Sequence, residues 1–309
     1  MQILQPTDEA LNRAARILKD GGVVVMPTET VYGLACSALN PEAVRRVYEI
    51  KGRPSANPLI VHISEFTQLK AVAESWPKEA EILAKRFWPG PLTLVLPKKA
   101  KVPDETTGGL DTVAVRVPDH AIALELIKRS GLPLAAPSAN LFMGLSPTRA
   151  KDVDEAILVD VEMVLDGGPC LIGVESTVLD LSEEHPRILR PGGVSRADIQ
   201  AALGRQLGEL PPPHLRKSPG MHPRHYAPRA KVVLVKRIDD EAAGLTLSTP
   251  THELQIQMPL DARAYAAGLY SGMRRLDVLG VEEIQVQLPP STPEWEAVWD
   301  RLQKASHPA

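Results

Sequence analysis

Between Gly22 and Ile63 the chain runs through a strand, a loop, a short helix, a rigid turn and a second strand, and no other segment restricts the fold as much. Residues 22–26, GVVVM, have the apolar, β-branched character of a buried strand and lead directly into Pro27-Thr28-Glu29-Thr30. The hydroxyls of Thr28 and Thr30 therefore fall where a strand surfaces into a loop. Pro41 after Asn40 marks a first helical position, and Val44, Val47 and Tyr48 recur at helical spacing. That helix delivers Lys51 and Arg53 into a turn, because Gly52, Pro54 and Pro58 cannot continue it. The apolar run LIVHI at 59–63 follows at once and keeps both cations near a sheet. Cations held there need an anionic partner, and a guanidinium fork beside an ammonium suits phosphate or carboxylate. For a Lys-x-Arg pair taken alone, the competing reading is a solvated basic loop.

The rest of the chain predicts a mixed α/β protein. Apolar runs suggest strands at 92–96, 113–117, 132–136, 163–165, 177–181 and 187–189, with helices at 8–19, 78–87, 119–130, 148–157 and 195–203. Thr7 is placed to cap the first helix, whose apolar face carries Leu11, Ala14, Ala15 and Leu18. Residues 211–238 hold three consecutive prolines, seven Lys or Arg and three His without one acid, which predicts an extended cationic connector. A strand at 231–235, a helix at 261–279, a strand at 284–288 and a helix at 293–305 then suggest a small parallel α/β unit. A length of 309 residues accommodates one large domain and one small one.

Several function classes are disfavoured. A net charge of −3 supplies no global attraction for nucleic acid, and an aromatic content of 4% leaves few stacking platforms. Cys36 and Cys170 match neither a zinc spacing nor a disulfide framework, and Cys36 between Ala35 and Ser37 reads as a packed small residue. His222 and His225 are three apart, which permits a metal reading, but no third ligand is evident in the sequence. Neither a Walker A motif nor G-x-G-x-x-G precedes a helix, so any phosphate must be held by other means. Ser138 and Asn140, at a strand exit, offer polar contacts to a phosphate or, through water, to its Mg2+. The start MQILQPTDEA has no basic n-region or apolar h-region, and no apolar run approaches the roughly 20 residues of a bilayer span, so a cytoplasmic protein away from membranes is expected.

Seven segments, in order, carry a resemblance. PTETVYGL at 27–34, Lys51-x-Arg53 with Asn57-Pro58 behind it, Ser138-x-Asn140 in LAAPSAN, GLSPT at 144–148, GVESTV at 173–178, ILRPG at 188–192 and SPGMHPRHYAP at 218–228 resemble the YrdC/Sua5 family, the threonylcarbamoyl-AMP synthases. The last segment is similar to the linker of the two-domain Sua5 branch. The resemblance implies a YrdC-like mixed twisted sheet with helices over 1–210 and a basic Pro-rich linker or lid over 211–229. It further implies a small Rossmann-like α/β C-terminal domain over 230–309, without chemistry of its own. The chain departs from the family where Ser291-Thr292-Pro293-Glu294-Trp295 stands in place of a Gly-rich turn.

The implied reaction condenses L-threonine, bicarbonate and ATP, accompanied by Mg2+, into threonylcarbamoyl-AMP and pyrophosphate for the t6A modification of tRNA. A downstream threonylcarbamoyl transferase complex would use the product, and direct tRNA binding stays open. By resemblance Arg53, Asn57, Thr112, Ser138, Ser146, Arg190 and Tyr226 surround the nucleotide, while Thr30, His62, Arg116, Ala136 through its backbone, and Ser176 surround threonine. Lys51 and Arg53 are the candidate catalytic cations. Arg116 alternates with Val115 and Val117 and so points opposite to them. An exposed strand face is the bland alternative for Arg116, and a structural histidine that for His62. No covalent nucleophile is required, since a threonine carbamate can attack the α-phosphorus once aligned and charge-stabilised. Competing readings are an RNA-binding module and a carbamoyltransferase of the hydrogenase-maturation type, which would carry zinc-finger cysteines.

Overall fold

A computed structural model of the protein describes residues 3–208 and 223–308. Its apolar runs assemble a ten-stranded mixed sheet and a separate four-stranded parallel one. In chain order the first sheet comprises β1 (Ile3–Leu4), β2 (Val24–Met26), β3 (Gly33–Ser37), β4 (Ile60–His62), β5 (Leu92–Pro97), β6 (Thr112–Arg116), β7 (Leu134–Ala135), β8 (Met163–Leu165), β9 (Thr177–Asp180) and β10 (Arg187–Arg190). In space they run β1-β8-β2-β3-β7-β4-β6-β5-β9-β10. Helices α1 (Asp8–Lys19), α2 (Pro41–Lys51), α3 (Lys78–Phe87), α4 (Asp104–Thr107), α5 (Ala121–Ser130), α6 (Glu155–Asp160) and α7 (Arg196–Leu203) cover it. The second sheet orders β11 (Lys231–Val235), β14 (Glu283–Gln287), β12 (Gly244–Thr246) and β13 (Gln255–Gln257), with α8 (Ala262–Val278) and α9 (Glu296–Ala305).

The caps follow the residues. Thr7 Oγ1 accepts from the Ala10 amide, and Asn40 Oδ1 from the Glu42 and Ala43 amides, each satisfying donors that a helix start leaves open. The β4 and β6 strands split the sheet by alternation. Val61, Val113 and Val115 enter the large core, whereas Ile60 and Ala114 join Val95, Val178 and Leu189 on the opposite face.

The stretch 148–157, expected as one helix, is instead a 3-10 turn at Ala150–Asp152 followed by α6. Asp154 is extended between them, accepting from the Leu141 amide at 3.1 Å and pairing with Arg274 at 3.3 Å. Two tertiary contacts at one residue thus outweigh a local helical pattern. Of the connector expected at 211–229, residues 211–222 lie outside the described residues, while 223–229 form part of the site.

The second unit is docked. Its core around Tyr265, Leu269, Tyr270 and Met273 of α8 also takes in Val31, Leu145, Val174 and Tyr226. Each large apolar side chain buried in this way contributes about 1.5–3 kcal/mol. Gly173, at φ +72, makes the approach possible, since a Cβ there would sit 2.5 Å from Ala267 Cα.

Candidate functional site

Strand register places the first two site residues. His62 of β4 and Arg116 of β6 are parallel partners, so their side chains share the face opposite the valines. Both are buried, so Arg116 does not lie on an exposed strand face. Beside them the loop after β2 is tied by its own hydroxyls: Thr28 Oγ1 donates to the Val31 carbonyl at 2.6 Å and accepts from the Thr30 and Val31 amides at 3.2 Å. Arg116 reaches this loop, donating to Thr30 Oγ1 at 3.1 Å and pairing with Glu29 at 2.6 Å. The loop after β7 is laced to it through the Leu34 amide to Pro137 O at 2.7 Å and the Ala139 amide to Tyr32 O at 2.8 Å.

The cations come from two other loops. Gly52, left-handed at φ +58, ends α2 and turns Arg53 inward. Arg53 donates through Nη2 to Pro58 O at 3.1 Å and Asn57 O at 3.4 Å. Burial lowers its pKa to about 10, with Tyr48 and Tyr226 acting against the shift. Arg190, at the end of β10, donates from Nε and Nη2 to Ser176 O at 3.1 and 2.9 Å, and Ser176 Oγ shares a hydrogen bond with Thr93 Oγ1 at 2.7 Å.

One pocket gathers Thr30, Arg53, His62, Arg116, Ala136, Ser138, Ser176, Arg190 and Tyr226, nine of the residues named from the sequence, together with Thr28, Glu175 and His225. Its interior is narrow, with a cavity volume of only about 50 Å³. The ring of Tyr226 forms part of its wall, with the backbone at φ +58, a left-handed conformation that costs a non-glycine residue about 1–2 kcal/mol. His225 packs against it at 4.0 Å between ring centroids. Several buried polar atoms around the pocket have no hydrogen-bond partner among the described residues: Arg53 Nε, His62 Nδ1, Arg116 Nε, His225 Nδ1 and the Tyr226 hydroxyl. Such atoms are costly unless a ligand or water meets them. Burial, then Arg116, brings His62 down to about 3, so the ring is neutral at physiological pH.

The other named residues stand outside the lining. Lys51, the expected catalytic cation, is 2% exposed, and its Nζ donates at 2.5 Å to both Ser138 O and Asn140 O. In this structure it tethers the loop after β7 from behind. Asn140 turns its Nδ2 to Leu141 O at 2.6 Å and Gly144 O at 2.9 Å, bracing the same loop. Ser146 is fully buried and donates to Glu175 at 2.6 Å. Thr112 begins β6, and the carbonyl of Asn57 accepts from the Tyr48 hydroxyl at 2.7 Å.

Sequence reasoning passed over Glu29 and Glu175. Each lay inside a motif already quoted, and the signal available was a single acid within an otherwise cation-rich set. Burial raises the Cys36 and Cys170 thiols to about 12, which removes both as nucleophiles. Among the described residues, no group of three His, Cys, Asp or Glu could hold a metal. His222, of the suggested metal pair, lies outside the described residues.

Comparison with known proteins agrees with this geometry. Residues 16–192 match the model of the Sua5/YciO/YrdC family, described as telomere recombination, and residues 194–307 match the C-terminal domain of threonylcarbamoyl-AMP synthase. The chain is 43% identical to the threonylcarbamoyl-AMP synthase of Pyrococcus abyssi, over 95% of this chain and 93% of that protein. It is 40% identical to the Bacillus subtilis protein of the same name, over 98% and 94%. A crystal structure of Pyrococcus abyssi Sua5 complexed with L-threonine superposes with a TM-score of 0.88 at 42% identity, covering 96% of this chain and 94% of that one. HypF from T. kodakarensis, at 23% identity and a TM-score of 0.51 over 60% of this chain and 24% of that one, shares the fold alone. The chain therefore belongs to the Sua5/YrdC family of threonylcarbamoyl-AMP synthases, in its two-domain form.

Proposed function

We propose that this protein condenses L-threonine, bicarbonate and ATP into threonylcarbamoyl-AMP and pyrophosphate in the cytoplasm, supplying a transferase complex that acts on tRNA. One observation carries the reading. A single pocket gathers three guanidinium groups, Arg53, Arg116 and Arg190, with Arg116 bonded to the Thr30 hydroxyl. Two anionic ligands held side by side suit such a site, a polyphosphate at Arg53 and Arg190 and an amino-acid carboxylate at Arg116.

Glu29 fixes the orientation of Arg116, so the guanidinium is pre-aimed when the threonine carboxylate arrives. Thr30 and Ser176 offer hydroxyl contacts, and neutral His62 can accept a hydrogen bond from the amine through Nδ1. Ser138, with Asn140 bracing its loop, faces the nucleotide, and the Asn57 carbonyl holds Arg53. Lys51 adds positive charge behind that loop and sets its shape. Mg2+ would travel with ATP as part of the substrate, held by phosphate and water, as suits a pocket whose one lining carboxylate among the described residues, Glu175, is already engaged. The residue work is alignment, charge stabilisation and exclusion of water from a labile carbamate.

The chemistry belongs to residues 1–210, with 211–229 as a lid and 230–309 docked behind it. The cavity is small, about 50 Å³, and Tyr226 in its wall swings aside as ATP enters. Two backbone bonds would open with it: the His225 amide to Lys304 O at 3.3 Å and the Ala227 amide to Met143 O at 3.0 Å.

The test is pyrophosphate release from ATP with and without L-threonine, in bicarbonate-replete and bicarbonate-depleted buffer. Release should require both co-substrates. Equal release in all four conditions would leave a plain ATPase and refute the reading.

A further inference from the structure

Glu175 poses an electrostatic problem. Its carboxylate is 6% exposed and lines a pocket otherwise furnished for anions, where it would repel a polyphosphate. The answer comes from the far end of the chain. Arg301 of α9, with no exposed surface, donates from Nε to Glu175 Oε2 at 2.9 Å. Tyr270 of α8 donates its hydroxyl to the same oxygen at 3.0 Å, and Ser146 fills Oε1 at 2.6 Å.

Arg301 also donates from Nη1 to Pro191 O at 2.9 Å, next to Arg190 in the ILRPG segment. Its guanidinium lies 4.9 Å from the centroid of the Tyr226 ring, and that ring stacks on Tyr270 at 5.8 Å. One side chain of the C-terminal domain thus touches three parts of the pocket wall: the GVESTV loop, the ILRPG loop and the lid residue. Burial would raise the Glu175 pKa, but Arg301 and Arg190 outweigh it and hold the group near 2, so the acid is fully ionised and depends on its cations.

We propose that Arg301, assisted by Tyr270, is a positioning residue of the nucleotide site supplied by the C-terminal domain. It neutralises and orients Glu175, which in turn fixes the Ser146 hydroxyl, and it seats the Tyr226 ring in the wall. The second domain then completes the site electrostatically, although none of its described side chains lines the pocket. This inference rests on the pocket being the ATP site of the proposed synthase.

The experiment measures ATP binding to the full chain by calorimetry, alongside pyrophosphate release, for wild type, Arg301→Met, Glu175→Gln and the double variant. Arg301→Met should weaken ATP binding at least 10-fold at pH 8, with a smaller effect on L-threonine binding. The double variant should bind ATP at least threefold more tightly than Arg301→Met, because the unpaired carboxylate is gone, and stay below wild type, because the contact with the Tyr226 ring is still missing. Lowering the pH from 8 to 6 should recover at least threefold of the lost affinity in Arg301→Met, as Glu175 takes up a proton, and none in the double variant. A purely structural Arg301 would leave the double variant as weak as the single one and the pH response like wild type; either result overturns the proposal.

If circular dichroism shows Arg301→Met unfolded, Tyr270→Phe keeps the ring and removes one bond to Glu175. It should weaken ATP binding about threefold, and unchanged affinity would overturn the proposal. A wild type that binds ATP without threonine-dependent pyrophosphate release would sink the proposed function, while the affinities still decide the role of Arg301.

Discussion

Lowering the pH from 7.5 to 5 should cost this fold about 2 kcal/mol through His62 alone, with His225 adding to the loss. His62 and His225 are both buried, and burial is the leading reason that each stays neutral: His62 is brought down to about 3, with Arg116 adding to the effect, and His225 falls well below its ordinary value, with Arg53 and Lys51 nearby. In the unfolded chain both rings titrate near 6.5. Between 6.5 and the folded values, the unfolded state therefore binds more protons than the folded one, and stability rises with pH. As the pH falls through 6.5 the loss begins, reaching about 2 kcal/mol for His62 at pH 5, and His225 adds to it in the same direction. His120, half-buried and shifted the same way, adds to the loss. Glu175 contributes only lower down. Its pKa is depressed to about 2, so the stability it confers is lost between its ordinary value near 4.5 and that figure. Urea unfolding at pH 7.5 and pH 5, followed by tryptophan fluorescence and circular dichroism, measures the difference. His62→Asn should lower absolute stability but remove about 2 kcal/mol of the pH-dependent part. Equal stability of wild type at the two pH values, or an undiminished pH effect in His62→Asn, would refute the assignment of neutral buried rings.

Other expectations follow from the same geometry. Arg53→Ala should cut kcat/KM by roughly 10- to 150-fold, since a hydrogen bond to a charged group is worth about 1.5–3 kcal/mol, while melting near the wild-type temperature shows the fold intact. Lys51→Ala should lose activity and stability together, because its two 2.5 Å bonds hold the Ser138–Asn140 loop; an unchanged melting temperature would remove the tether. Tyr226→Ala should weaken nucleotide retention, and amide exchange across 223–229 should slow when ATP and L-threonine are added together; exchange indifferent to both ligands ends the lid reading. L-Serine should replace L-threonine about 10- to 200-fold less well, the range that contact with one methyl allows, as read from pyrophosphate release.

How far the sequence could be read depended on whether a residue's partner was local. The start and end of α2 were legible because Asn40, Pro41 and Gly52 act within a turn of the backbone they control. β3 was not: Gly33, Ala35 and Ser37 are poor strand formers, and they pair because small residues let the β7 loop close in, so that a Cβ on Gly33 would lie only 3.1 Å from Ala136 Cβ. β12 and β13, three residues each, carried too little pattern to be seen.

The same distinction runs through the site. Alternation along β6 pointed Arg116 away from the core valines, and its register with His62 then brought the two together. Lys51 lies in an equally clear motif, yet its direction is set by carbonyls 87 and 89 residues away, so the cation expected at the phosphates sits behind the loop. The partnership of Glu175 with Arg301 spans 126 residues and two domains, and Arg301 by itself reads as an ordinary charge on an amphipathic helix. Once the ion pair is in place, however, its chemistry is forced. A carboxylate buried in a pocket lined by Arg53, Arg116 and Arg190 needs a cation fixed in place, and a guanidinium anchored from another domain, outside the lining, meets that requirement.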